Sequence, residues 1–143
     1  MRYILLLLLF STSICFGQSD DDEKIIVLAA DTADLFNRVA ASLTDKGYSI
    51  EIKDEQTKSI ATSEKKLKRL NASMKVHVII KDATCIVSGS YALDFHFKIG
   101  SDKEDRIFNP IEYRRIQGIA PRECWNELEE IAKSIGSQMQ YSR

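Results

Sequence analysis

Few side chains in this sequence have the type and spacing to do chemistry. Two histidines, His77 and His96, and three cysteines, Cys15, Cys85 and Cys124, stand out among 21 carboxylates. A metal site built on the two histidines would need a third ligand such as Asp94 and a chain bend at Gly89 to bring them together. Their spacing matches no ligand pattern. No nucleophile elbow, phosphate-binding glycine loop, Cys-x-x-Cys or His-Glu-x-x-His occurs. Asp31, Asp54, Glu55 and Asp94 fall at strand or turn edges, where carboxylates cap and turn the backbone. A general acid needs a pKa shifted by burial, and no pair here is marked for it. The sequence therefore points to a non-enzymatic protein with no metal and no cofactor. The tripeptide Asn71-Ala72-Ser73 fits the glycosylation sequon, a pattern common by chance.

The cysteines carry more information through their positions. Cys85 and Cys124 are an even pair, and in an oxidising compartment such a pair invites a disulfide. Closing a loop of about 40 residues would stabilise the fold by about 4 kcal/mol in the chain-entropy account. The alternative is two small buried apolar side chains that never meet. Cys15 sits at the end of an apolar segment, Ile4 to Phe16, preceded by Arg2 and followed by polar residues from Gln18. This stretch is too short and too interrupted to span a bilayer and reads as a secretory signal peptide over residues 1–17. Gly17 and Cys15 meet the small-residue preference for cleavage before Gln18. Lipidation of Cys15 is the other route, with Ile14 and Thr12 a poor match to the residues that usually precede a lipidated cysteine.

Of 143 residues, removal of the first 17 leaves 126, one domain of ordinary size able to build a core without staples. That piece carries 19 basic and 21 acidic residues, a balance that lacks the basic footprint of a nucleic-acid binder.

The elements that must position these groups follow from periodicity. Residues 18–23 read as a flexible acidic leader, ahead of a domain spanning 24–143. "KIIVLAA" (24–30) is a short apolar strand. Asp31 and Thr32 offer an N-cap with Asp34 in the first turn, and Leu35, Phe36, Val39, Ala40 and Leu43 form one helical stripe that ends at Lys46-Gly47. Tyr48, Ile50 and Ile52 alternate as a half-buried strand, Asp54 to Thr57 turns, and Lys58 to Ser63 returns. "EKKLKRLN" (64–71) is a charged connection with room for one helical turn.

Met74, Val76, Val78 and Ile80 share one face of a strand, with Lys75, His77, Ile79 and Lys81 on the other. A tight turn at Asp82-Ala83 sets His77 near Ser88. The following strand runs from Cys85 toward Phe97, with a bulge or bend expected at Ser88-Gly89-Ser90. Residues 101–105 form a charged loop, and "IEYRRIQGI" suggests a last strand. Pro121 fits the first position of a closing helix whose stripe is Trp125, Leu128, Ala132, Ile135 and Met139. Glu123, Glu127, Glu129 and Glu130 fall outside that stripe. The expected fold is α+β: a two-layer sandwich with two amphipathic helices on one face of an antiparallel sheet.

Two stretches resemble known bacterial envelope proteins. "QSDDDE" (18–23) resembles the acidic export tag behind the lipidated cysteine of surface lipoproteins in some Gram-negative bacteria. "FNRVAASLTDKGYSIEIKDEQTKSIATSEKKL" resembles the repeats of the BamC-type outer-membrane lipoprotein and related envelope domains. The shared form is a helix ending in Lys46-Gly47-Tyr48, a strand, an acidic turn at Asp54, then a strand with Ile60 and Thr62. It covers about 30 residues, and each element is also what a helix-to-hairpin junction requires. The resemblance implies a TATA-box-binding-protein-like or helix-grip fold used for protein contacts in the periplasm or cell envelope, with outer-membrane anchoring through Cys15 as one route.

Two functional surfaces follow. A surface for contact with another protein or with a membrane surface would use Lys65, Lys66, Lys68 and Arg69 together with Lys75, His77, Ile79 and Lys81, where Ile79 breaks the polar pattern as a covered residue would. A small apolar ligand would instead sit between the sheet and the closing helix, lined by Tyr91, Phe95, Phe97 and Trp125. Those aromatics would otherwise simply fill the core.

Overall fold

Two ten-residue strands, β5 (Ala72–Lys81) and β6 (Thr84–Leu93), form the spine of the computed structural model, which describes residues 21–94, 106–115 and 118–143. They are joined at Asp82-Ala83 and pair without interruption over ten residues, with His77 opposite Ser88. The expected bulge at Gly89 is absent, because the register passes straight through Val76↔Gly89. Glycine is there for a different reason. A Cβ at position 89 would lie 2.8 Å from the Lys75 carbonyl oxygen, 2.9 Å from Ile111 Cδ1 and 3.2 Å from Leu128 Cδ2. The residue lets a helix and a loop press onto the sheet.

The remaining strands build outward from this hairpin. β3 (Ser59–Thr62) pairs β5, and β2 (Ile50–Asp54) pairs β3 as one edge. On the other side β1 (Lys24–Leu28) pairs β6, and β8 (Gln138–Ser142) pairs β1 as the opposite edge. Short β4 (Lys65–Leu67) and β7 (Asn109–Pro110) add to the far ends of β5 and β6. All pairings are antiparallel, giving the order β2-β3-β5-β6-β1-β8.

Helices α1 (Leu35–Asp45) and α2 (Ile119–Ile135) bury their stripes against this sheet and meet each other, where the Ser42 and Ser134 hydroxyls lie 2.6 Å apart. The core joins Leu35, Phe36, Val39, Ala40 and Leu43 of α1 and Cys124, Trp125, Leu128, Ile131, Ala132 and Ile135 of α2 to Ile25, Val27, Met74, Val76, Val78, Cys85 and Val87 of the sheet. The α+β two-layer architecture read from the sequence is the one observed.

Several local expectations are corrected. Helix α1 starts at Leu35, not at a cap on Asp31 or Thr32. The Asp31 carboxylate accepts the Ala33 N–H instead, and Asp34 takes a left-handed conformation with φ 50° just before the helix. Gly47 does end α1 with φ 82°, the conformation glycine tolerates best. In β2 the register shifts between Ile50 and Ile52, which leaves Ile52 54% exposed where alternation predicted a half-buried residue. Residues 65–67 are a strand and not a helical turn. "IEYRRIQGI" is not a strand among its described residues: Ile111 is buried, and Tyr113 makes an isolated bridge to Asp22. Through that bridge and the Glu23 N–H to Ser142 carbonyl bond, residues 21–23 are tied to the domain, where a free leader was expected.

Pro121 is the third residue of α2 and not the first, a position whose N–H is equally surplus. The helix stops at Ile135, so Met139 belongs to β8 and not to the helical stripe. Gly136 makes the turn-back feasible: a Cβ there would fall 2.8 Å from the Leu28 carbonyl oxygen and 2.9 Å from Val27 Cγ1. Two close approaches thus hold α2 and β8 to the sheet. Gly89→Ala and Gly136→Ala should each cost about 1–3 kcal/mol by overpacking, read as a lower urea midpoint. Gly118→Ala, where the nearest atom is Pro121 Cδ at an ordinary 3.7 Å, should change little.

Candidate contact surface

The face of the sheet turned away from the helices is built from residues of opposite parity to the core. Its centre is a row of three half-buried isoleucines in direct cross-strand register: Ile79 of β5, Ile86 of β6 and Ile26 of β1. Ser59 and Gln140 flank the row on β3 and β8. The neighbouring rows carry His77 opposite Ser88, Lys81 opposite Thr84 with Leu28 beyond, and Lys75 opposite Ser90. Lys81, His77, Leu28 and Lys24 are exposed. Lys75 lies with its ammonium 4.7 Å from the centroid of Phe108, a cation–π contact. The result is an apolar strip bordered by Lys24, Lys75 and Lys81. β-Branched residues suit a pleated surface, and directly opposed isoleucines stabilise the sheet through their pairing.

Of the residues expected on the contact surface, Lys75, His77, Ile79 and Lys81 share this face. The basic connection divides. Lys66, Lys68 and Arg69 are exposed, and the last two line an open cleft of about 450 Å³ with Leu67, Leu70, Ile119, Glu123 and Glu127. Lys65 turns the other way. Its ammonium donates to the Lys46 carbonyl (2.7 Å) and to Glu127 Oε1 (3.0 Å), and lies 4.3 Å from the Tyr48 ring centroid. The buried Tyr48 hydroxyl donates to the same Glu127 oxygen at 3.2 Å. Burial first, and then the neighbouring Glu127 carboxylate, push the Tyr48 phenol well above its usual range, so it stays protonated. This trio joins the end of α1, β4 and α2 as a strut. A base or nucleophile would need a phenol shifted downward, and Tyr48 is shifted upward.

Glu127 and Glu129, both expected outside the α2 stripe, are half-buried acceptors. Glu129 takes the Trp125 indole N–H (3.3 Å) and the Tyr141 hydroxyl (3.1 Å). Periodicity could not reveal this, since both partners come from elsewhere in the fold or from one turn away.

Of the four aromatics expected around a ligand, Tyr91 and Trp125 fall among the described residues. Trp125 is buried and packs on Tyr113 and Tyr141, with ring centroids 5.7 and 6.1 Å away. Tyr91 instead lines an open cleft of about 370 Å³ with Asn109, Pro110, Glu112, Arg114, Gly118 and Pro121. Phe95, Phe97 and His96 lie outside the described residues, as does Cys15. Among the described residues no three His, Cys, Asp or Glu side chains group as a metal site, and no helix is long and apolar enough to cross a membrane. No protein-family model matches the chain, and no curated protein matches it.

Of the two readings of the cysteine pair, a bridge or two buried apolar side chains that never meet, the structure has the second: Cys85 and Cys124 are free, buried thiols. Cys85 is the second residue of β6, between Val27 and Ile80, whereas Cys124 sits in the second turn of α2 near Tyr48 and Tyr91. Tyr91 is six residues along the strand from Cys85, roughly 20 Å at 3.3 Å per residue, beyond the reach of a disulfide. Burial raises Cys85 from 9.0 to about 11 and Cys124 to about 12. Folding therefore favours the protonated thiols. That contribution is complete below pH 9 and erodes as pH rises from 9 toward 11 and 12. Melting temperature should hold steady near neutrality and fall above about pH 9, and reductant should not change it. Neither thiol should react with Ellman's reagent until the protein is unfolded, when both should. A native protein that loses stability on reduction would contradict the assignment.

Proposed function

We propose that this protein is an exported, non-enzymatic envelope domain that binds another protein through the outer face of its sheet. The observation that carries the reading is the Ile26–Ile86–Ile79 row bordered by Lys24, Lys75 and Lys81. Three lysines and one carboxylate, Asp54 of β2 at the end of the row beyond Ser59, border the strip, which suits a partner with an apolar centre and a mainly acidic rim. The segment over residues 1–17 supports export, and the Lys46-Gly47-Tyr48 junction with its hairpin supports the envelope resemblance. Tyr48, Glu127 and Lys65 act as a strut in this reading and take no part in the contact.

The test uses protein produced from the full-length gene in its own cells. Intact mass should show a chain beginning at Gln18, or one beginning at Cys15 with acyl mass. A photo-crosslinking residue at Ile79 should capture a discrete partner that the same residue at exposed Asn126 on α2 does not. With that residue kept at position 79, Ile86→Asp on the neighbouring strand should abolish the capture and leave the circular dichroism unchanged. An unprocessed chain would overturn export, and equal labelling from positions 79 and 126 would overturn the outer face as the contact.

A further inference from the structure

The two edges of the sheet are built differently. At one edge β2 carries Glu51, Lys53 and Asp54 together with the register shift at Ile50/Ile52. Charges and irregularity are the usual devices that keep an edge from pairing with another strand. At the other edge β8 reads Gln138-Met139-Gln140-Tyr141-Ser142: five residues, none charged, no proline, and an unbroken register with β1 from Lys24↔Ser142 to Leu28↔Gln138. Among the described residues no strand pairs its outer side.

We propose that β8 is the docking edge for a second copy of this chain, joined antiparallel about a two-fold axis through Gln140. The pattern of the strand is what selects its own copy. Met139 and Tyr141 pack against the core on the helix side, and Gln138, Gln140 and Ser142 alternate onto the outer face. That sequence is symmetric about Gln140 in polarity. Two-fold pairing therefore sets Met139 opposite the partner's Tyr141 and Gln138 opposite the partner's Ser142, each twice. Gln140 meets the partner's Gln140. Apolar side chains then meet apolar ones on the helix side, polar meet polar on the outer side, and no like charges oppose within the strand. An isologous interface demands this self-complementarity, and a thioether beside an aromatic ring is a favourable contact.

The anchors of β8 suit the role. Tyr141 is held by Glu129 through its hydroxyl and by Trp125 through its ring, and Gly136 lets the chain return closely against β1. The edge is thus presented on a fixed frame. The dimer would carry one continuous sheet, with two copies of the isoleucine row side by side on the same outer face. The inference stands on β8 alone and does not require the outer-face reading.

Sedimentation velocity of the mature protein over a concentration series tests it. The expected result is a monomer–dimer equilibrium whose dissociation constant rises about fivefold or more in Gln140→Lys, since that change opposes two like charges at the axis. Ile52→Lys on the β2 edge should leave the equilibrium unchanged. Gln140→Cys should form a disulfide-linked dimer under mild oxidation, because opposed residues across an antiparallel pair lie about 4.5–5.5 Å apart. Gln138→Cys, off the axis, should not. A monomer at every concentration, or a dimer lost through Ile52→Lys and untouched by Gln140→Lys, would overturn the proposal. If Gln140→Lys failed to fold, the pair of cysteine variants would decide alone.

Discussion

The missing side chain at Gly89 is the constraint on which the fold depends. It lies in the middle of the longest hairpin, where Leu128 of α2 and Ile111 of the preceding segment press onto the strand at distances that a Cβ would block. Once α2 is seated, Cys124, Trp125, Leu128, Ile131, Ala132 and Ile135 are all buried. Trp125 then supplies a surface for Tyr113 and Tyr141, which brings in both the connection ahead of the helix and the strand after it. Gly136 repeats the device one element later, against β1. Two positions without a Cβ set how closely the helical layer and the final strand approach. Interiors packed to crystal density respond sharply to such distances.

Seating both helices on one face divides the sheet into a buried face and one that neither helix covers. The inner face holds the core and its polar strut, where Glu127 takes a charge-assisted bond from Lys65 and a second bond from Tyr48. Half-buried groups of this kind are costly to leave unpaired, so the trio stiffens the junction of α1, β4 and α2. The outer face has no helical cover from α1 or α2, and it keeps three isoleucines in register where a solvated sheet would alternate to polar residues. That departure is the observation on which the proposed contact surface rests.

Much of this was legible in the sequence because it depends on local periodicity. The α1 stripe, the hairpin turn at Asp82-Ala83, the facing of His77 and Ser88, and the two faces of β5 follow from spacing alone. Ile79 was conspicuous for the same reason. What could not be read depends on contacts distant in sequence. Gly89 looked like a bend because a glycine in a strand has two explanations, and only the position of Leu128 decides between them. Met139 kept helical spacing with Ile135, yet Met139 and Tyr141 also alternate with period two, a signal outweighed by the helix before it. Lys65 looked like one cation in a wet run, but its partner Glu127 lies 62 residues away. The cysteines were an even pair by count, and only the fold sets one in β6 and the other on α2, over the far end of that strand.

Along the isoleucine row the helices cover one face of the sheet and the other face is half-exposed. Methyl NMR of the mature protein with a soluble paramagnetic agent measures this most directly. The δ-methyls of Ile26, Ile79 and Ile86 should relax strongly, and those of Ile25, Ile60, Ile111 and Ile131 should be protected, in keeping with their burial. Protection of Ile79 and Ile86 to the level of Ile25 would mean that the protein covers this face itself, and the contact surface would be lost.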